Sequence, residues 1–133
     1  MAVEVCWDDA QHTIVRVVLR DWGWDELADV EAANARLRLL DDVEHPVTML
    51  VILHDTPRNL LGMLPRLAQS AAFNHPKIRQ VIVVADSNIV KMAAEIFKRI
   101  YGHESRRMRL VATLSEAYQL AASAQTDTAA PED

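Results

Sequence analysis

Cysteine is nearly absent. Cys6 stands alone in 133 residues, so no internal disulfide can close, and a reducing compartment is the simplest setting. Cys6 itself reads as a small apolar residue of a strand. Glycine is scarce too. The three glycines fit neither the G-x-G-x-x-G nor the G-x-x-x-x-G-K-[ST] phosphate loop, and no Gly-x-Ser-x-Gly elbow occurs. Basic residues do not dominate: 14 Lys and Arg face 19 Asp and Glu, for a net charge of −5. Non-specific binding to nucleic acid or to an anionic membrane needs the opposite balance. Long apolar runs are missing. Met49 to Leu53 is far short of the roughly 20 residues that span a bilayer. Met1-Ala2-Val3-Glu4 carries no basic segment or apolar stretch of signal-peptide type. The expectations are a cytoplasmic location and no membrane or nucleic-acid partner.

Convergent titratable groups, which catalysis requires, are not legible. His12, His45, His54, His75 and His103 fall in different segments without His-x-x-x-His spacing. No metal site, no cofactor and no enzymatic activity are expected.

Periodicity is what the chain does contain. Val3 to Trp7 alternates, as a half-exposed strand does. Asp8-Asp9-Ala10-Gln11 reads as a turn, and Thr13 to Leu19 as the second strand of a hairpin. Asp25 to Asp41 has helical spacing, with Leu27, Val30, Leu37 and Leu40 on one face. Gly23 or Asp25 is its candidate cap, and His45-Pro46 ends it. Val47 to Leu53 and Val81 to Ala85 are apolar on both faces, the mark of central strands.

Between them, Leu60, Leu61, Leu64, Leu67, Ala68 and Ala71 suit a helix that either begins at Pro65 or is kinked there. Asn74-His75-Pro76 is a break. Ser87 caps a helix from Asn88 to Tyr101, with Ile89, Ala93, Ile96 and Ile100 as the inner stripe and Gly102 as the residue past its end. Arg109 to Thr113 is a last strand. Thr113-Leu114-Ser115-Glu116 is a capping box opening a helix to about Ala122. Residues 1–122 form one α/β domain, and 123–133 read as a disordered tail. The order β-β-α-β-α-β-α-β-α implies one mostly parallel sheet with an antiparallel amino-terminal hairpin.

These motifs, in this order, resemble the STAS domain of the SpoIIAA-type anti-sigma-factor antagonists and, more nearly, stand-alone STAS-like bacterial proteins without an assigned activity. The matching pieces are Trp22-Gly23-Trp24-Asp25-Glu26-Leu27, His45-Pro46-Val47, Val81-Ile82-Val83-Val84, Phe97 with Tyr101, and Thr113-Leu114-Ser115-Glu116-Ala117. The resemblance spans residues 3 to 122. It implies a regulatory module that binds a protein partner. The antagonists carry a phosphoacceptor motif after the third strand: Asp, two hydroxyl residues, Gly and an aliphatic residue. The counterpart here is Asn59-Leu60-Leu61-Gly62-Met63, with leucine at both hydroxyl positions. A phosphoserine switch at that site is therefore not expected.

Open parallel sheets bind at the carboxyl ends of their strands. That rim is made by His54 to Asn59, Asp86-Ser87-Asn88 and Thr113 to Glu116. Candidate contact residues are Asp55, Thr56, Arg58, Asn59, Leu60, Leu61, Met63, Ser87 and Asn88. Thr56 and Ser87 are the rim hydroxyls that could accept a phosphoryl group. Asp55 and Pro57 also suit a plain turn, Ser87 and Thr113 plain caps, and the leucines a core. Trp22 and Trp24, with i,i+2 spacing, can turn only one ring easily to the core; the other reads as a lid over the sheet edge or as a surface anchor. Arg99, His103, Arg106, Arg107 and Arg109 form a basic cluster, read as a solvated helix end in preference to a phosphate or nucleic-acid contact. The leading expectation is a non-catalytic module that binds a protein partner or a second copy of itself. The alternative is a sensor for a small anionic or apolar ligand at the same rim.

Overall fold

The computed structural model describes residues 2–20, 35–54 and 60–129. The five strands are β1 (Ala2–Trp7), β2 (Ile14–Arg20), β3 (Val47–Leu53), β4 (Ile78–Val84) and β5 (Met108–Val111). Their order in the sheet is their order in the chain. β1 and β2 are antiparallel; all later pairs are parallel. The helices are α1 (Leu60–Ala68), α2 (Ala71–Asn74), α3 (Asn88–Ile100), α4 (Gly102–Ser105) and α5 (Leu114–Ala129), with a 3-10 helix at Leu37–Asp42. This is the α/β architecture that the sequence predicts.

Asp9 builds the hairpin turn. Its carboxylate accepts from the Thr13 amide at 2.8 Å, the Ile14 amide at 3.1 Å and the Thr13 hydroxyl. An Asp that ties down the backbone a few residues on is a standard turn device. His12 sits at φ 58°, in the left-handed region that His enters more readily than most residues.

β3 and β4 form the centre. Side-chain alternation splits them between two faces. On one face, Val15, Val17, Met49, Ile78 and Val81 pack with Leu37, Leu40 and Val43. The same face takes α1 and α3 through Leu64, Ala68, Phe97 and Met108. On the other, Ile14, Leu50, Ile82 and Val84 pack against Ala117 and Ala121 of α5. Alanines there let that helix lie close to the sheet. The register shifts between Val47 and Thr48, which pair with Ile78 and Gln80. The extra residue, Arg79, turns Ile78 to the same face as Val81, as a bulge does.

The structure settles or corrects several boundaries. α1 runs through Pro65, so the helix starts before that residue. Pro65 is exposed, which leaves the carbonyl that lacks its amide partner open to water. β4 begins at Ile78, ahead of Val81, and β5 is Met108–Val111 rather than Arg109–Thr113. Gly102 does not terminate a helix in a left-handed turn; it opens α4 after Tyr101. Of the helix expected over Asp25 to Asp41, the described part is residues 35–36, which lead into the 3-10 helix at Leu37–Asp42. Its start, Gly23 and both tryptophans of the 22–24 segment lie outside the described residues.

Two corrections are larger. α5 continues to Ala129, beyond Ala122, so residues 123–129, expected to be disordered, are helical. Nothing from Ser123 to Ala129 is Gly or Pro, and without a breaker a begun helix extends at little cost. The inner stripe of α3 is Val90, Ala93 and Phe97. Ile89 and Ile100, expected inside, are 54% and 64% exposed.

Thr48 is completely buried on β3, and its hydroxyl has no hydrogen-bond partner among the described residues. A buried unpaired hydroxyl costs about 1–3 kcal/mol. Thr48→Val keeps the shape and removes the orphan. We expect it to raise the urea midpoint, with a gain of about 1 kcal/mol.

Candidate functional site

The carboxyl rim of the sheet is where β3, β4 and β5 give way to α1, α3 and α5. Asp55, Thr56, Arg58 and Asn59 lie outside the described residues, as do the side chains of Leu60 and Met63. Leu61, Ser87 and Asn88 are placed. Ser87 caps α3: its hydroxyl accepts from the Val90 amide at 3.4 Å. Thr113 caps α5 in the same way, accepting from the Glu116 amide at 3.2 Å. Its hydroxyl also donates to the Glu116 carboxylate at 3.0 Å, so that carboxylate serves the hydroxyl rather than a backbone amide.

Each of these helix starts carries a large exposed apolar side chain. Leu61 in the first turn of α1 is 46% exposed, Ile89 in the first turn of α3 54%, and Leu114 at the head of α5 40%. Met92, one turn along α3 from Ile89, is 49% exposed. Ile89, Met92 and Ile100 form an exposed stripe beside the buried Val90, Ala93 and Phe97, with Ile96 partly buried between the two. The helix is apolar over both stripes and fully buries only one. The sequence shows two adjacent stripes; only tertiary packing decides which turns inward.

A second polar group lies at the hairpin end of the sheet. Tyr118 of α5 donates its hydroxyl to Asp8 at 2.9 Å. Arg16 pairs with the same Asp8 oxygen at 3.3 Å and reaches Cys6 Sγ at 3.7 Å. The Trp7 and His12 rings stack at 4.5 Å. Burial and the bond to Asp8 push the Tyr118 phenol above its ordinary range, so it stays a donor. Cys6 is exposed; it is a strand residue but not a packed one. Sequence reading missed this group because Tyr118 meets Asp8 across most of the chain. The Cys6–Arg16 pairing was available from the hairpin register.

The basic cluster is divided. His103, Arg106 and Arg107 line a cleft of about 120 Å³ with Phe73, Asn74 and Pro76. Arg109 lies on β5 and donates to the Met108 carbonyl at 3.1 Å; Arg99 lies on α3. Among the described residues, no three His, Cys, Asp or Glu come together as a metal site would require. No described helix is long and apolar enough to cross a membrane. In comparisons with known proteins, no family model, curated protein or solved structure matched the chain.

The hairpin group generates two expectations. Tyr118→Phe removes the bond to Asp8 and should lower unfolding stability by about 1 kcal/mol. Asp9 titrates below the usual carboxylate range. Burial alone would raise it, but the Thr13 hydroxyl and the Ile14 and Thr13 amides together outweigh that. Its ionised form therefore adds stability above the unfolded value of about 3.9. That stability is lost as pH falls toward the folded value. Asp9→Asn should be less stable than the wild type at neutral pH, and the gap should close in acid denaturation series.

Proposed function

We propose that the chain is a non-catalytic regulatory or scaffolding module of STAS type that binds a protein partner through its carboxyl rim. One observation carries this reading. Leu61, Ile89, Met92 and Leu114 are each at least 40% exposed, and each stands in or one turn beyond the first turn of a helix that leaves one of three neighbouring parallel strands, so all lie toward the same edge of the sheet. Apolar residues scattered singly over a surface need no explanation, but a grouped patch marks a contact surface. It falls where the sequence resemblance leads one to look.

Leu61 also bears on regulation. It occupies one of the positions where the antagonists carry a hydroxyl, and it is exposed. A side chain without an oxygen supports a contact that works without the phosphoserine switch. Ser87, the described candidate acceptor, already serves as a helix cap. The partner class includes a second copy of this chain. The single cysteine supports a cytoplasmic setting.

Leu61→Asp combined with Ile89→Asp tests the surface, since both changes fall on exposed positions and should leave the melting temperature unchanged. Wild-type chain immobilised against a cytosolic extract of its host should retain a discrete protein. Alternatively, it should run as a dimer in light scattering. The double variant should lose either association by about tenfold or more. Equal association by both forms would overturn the reading.

A further inference from the structure

The cleft beside the basic cluster lies at the opposite rim, near the amino ends of β4 and β5. Its walls come from two stretches of chain, 73–76 and 103–107, that β4 and α3 separate in sequence. Two of its six lining residues are arginines, a third is histidine, and none is acidic. This is local positive charge in a chain of net charge −5. Neither Arg106 nor Arg107 makes an ion pair with a carboxylate among the described residues.

The cleft is also braced. Arg107 Nη1 donates to the Ile78 carbonyl at 2.7 Å. That bond fixes the guanidinium at the first residue of β4 and leaves most of its five N–H donors for a ligand. Asn74 donates its side-chain amide to the Ala68 and Ser70 carbonyls at 2.6 and 2.8 Å. Phe73 is held against Phe97, with ring centroids 5.0 Å apart. Pro76 supplies a second rigid apolar wall. Arg106 is exposed and lines the cleft. Guanidinium forks match phosphate oxygens in geometry as well as charge.

Size narrows the ligand. About 120 Å³ has room for a phosphate group and the first atoms of its ester. Drug-sized ligands occupy about 300 Å³ or more. The accessible lining is mostly polar, which suits the phosphoryl group, and Phe73 and Pro76 border the space left for the atoms it is esterified to. We propose that this cleft binds the phosphoryl group of a small phosphate monoester, held by Arg106, Arg107 and His103. The site is separate from the carboxyl-rim contact surface and does not depend on it.

Titration of the ¹⁵N-labelled full chain with inorganic phosphate and with phenyl phosphate tests the proposal, with ionic strength held constant by sodium chloride. Saturable shifts are expected in the amides of 73–75, 77 and 103–107. Phenyl phosphate should bind at least as tightly as inorganic phosphate. Arg106→Glu should raise both dissociation constants by about tenfold or more. His103→Ala, also at an exposed position, should weaken binding less. Because Arg107 also braces β4, Arg107→Lys is read only alongside these two. Unsaturated shifts that chloride reproduces would overturn the site, as would unchanged binding by Arg106→Glu. Binding of inorganic phosphate with exclusion of phenyl phosphate would overturn the ester assignment.

Discussion

The parallel pairing of β3 with β4 is the constraint on which everything else hangs. Met49 lies beside Val81, and Leu50 beside Ile82, so the pair presents apolar side chains to both faces at once. All four are buried. Burying such a side chain is worth roughly 1.5–3 kcal/mol, and only a strand pair covered from both sides collects that on each face. The helices on one side and α5 on the other are consequences of this requirement. So is the position of the rim: parallel strands must all end at one edge, and the helices that follow must all begin there.

That geometry explains why one edge is sticky and the other polar. At the carboxyl edge each helix starts by turning away from the strand before it reaches the sheet face. Leu61, Ile89 and Leu114, each in the first turn of its helix, therefore lie beyond the core they would otherwise join. At the amino edge the connections carry His75, Lys77, Arg106 and Arg107. Lys77 donates to the Leu40 and Asp41 carbonyls at 3.0 and 3.3 Å, closing the end of the 3-10 helix. Arg107 does a similar service for Ile78. Basic side chains are used there first as backbone partners, and a concave basic surface is left between them.

What the sequence made legible was local. The hairpin follows from alternation and from Asp9, the central strands from unbroken apolar runs, and the caps at Ser87 and Thr113 from residue types within one turn of each other. What it hid was the choice among equivalents and contact at long range. α3 has two apolar stripes, and periodicity does not rank them; the fit of Ala93 and Phe97 under the sheet does. The end of α5 was hidden for a related reason, since polar composition alone does not stop a helix. Of the candidate contact residues, Leu61, Ser87 and Asn88 were legible by counting from strand ends. Ile89 has the spacing of a core residue, and Leu114 sits inside a capping motif, so neither is marked as a surface residue by the sequence. The cleft drew on residues already grouped as a basic cluster, but its other wall, 73–76, is far away in sequence.

The strand order carries a consequence for the chain as it is made. Each strand pairs with the one synthesised just before it, so the sheet can grow one strand at a time at the mouth of the ribosome. The face formed by Ile14, Leu50, Ile82 and Val84 has a different history. Its described cover is Ala117 and Ala121, which emerge near the end. Until they emerge, that face lacks the cover described for it, and transiently exposed apolar surface of this kind is what makes a growing chain prone to aggregate.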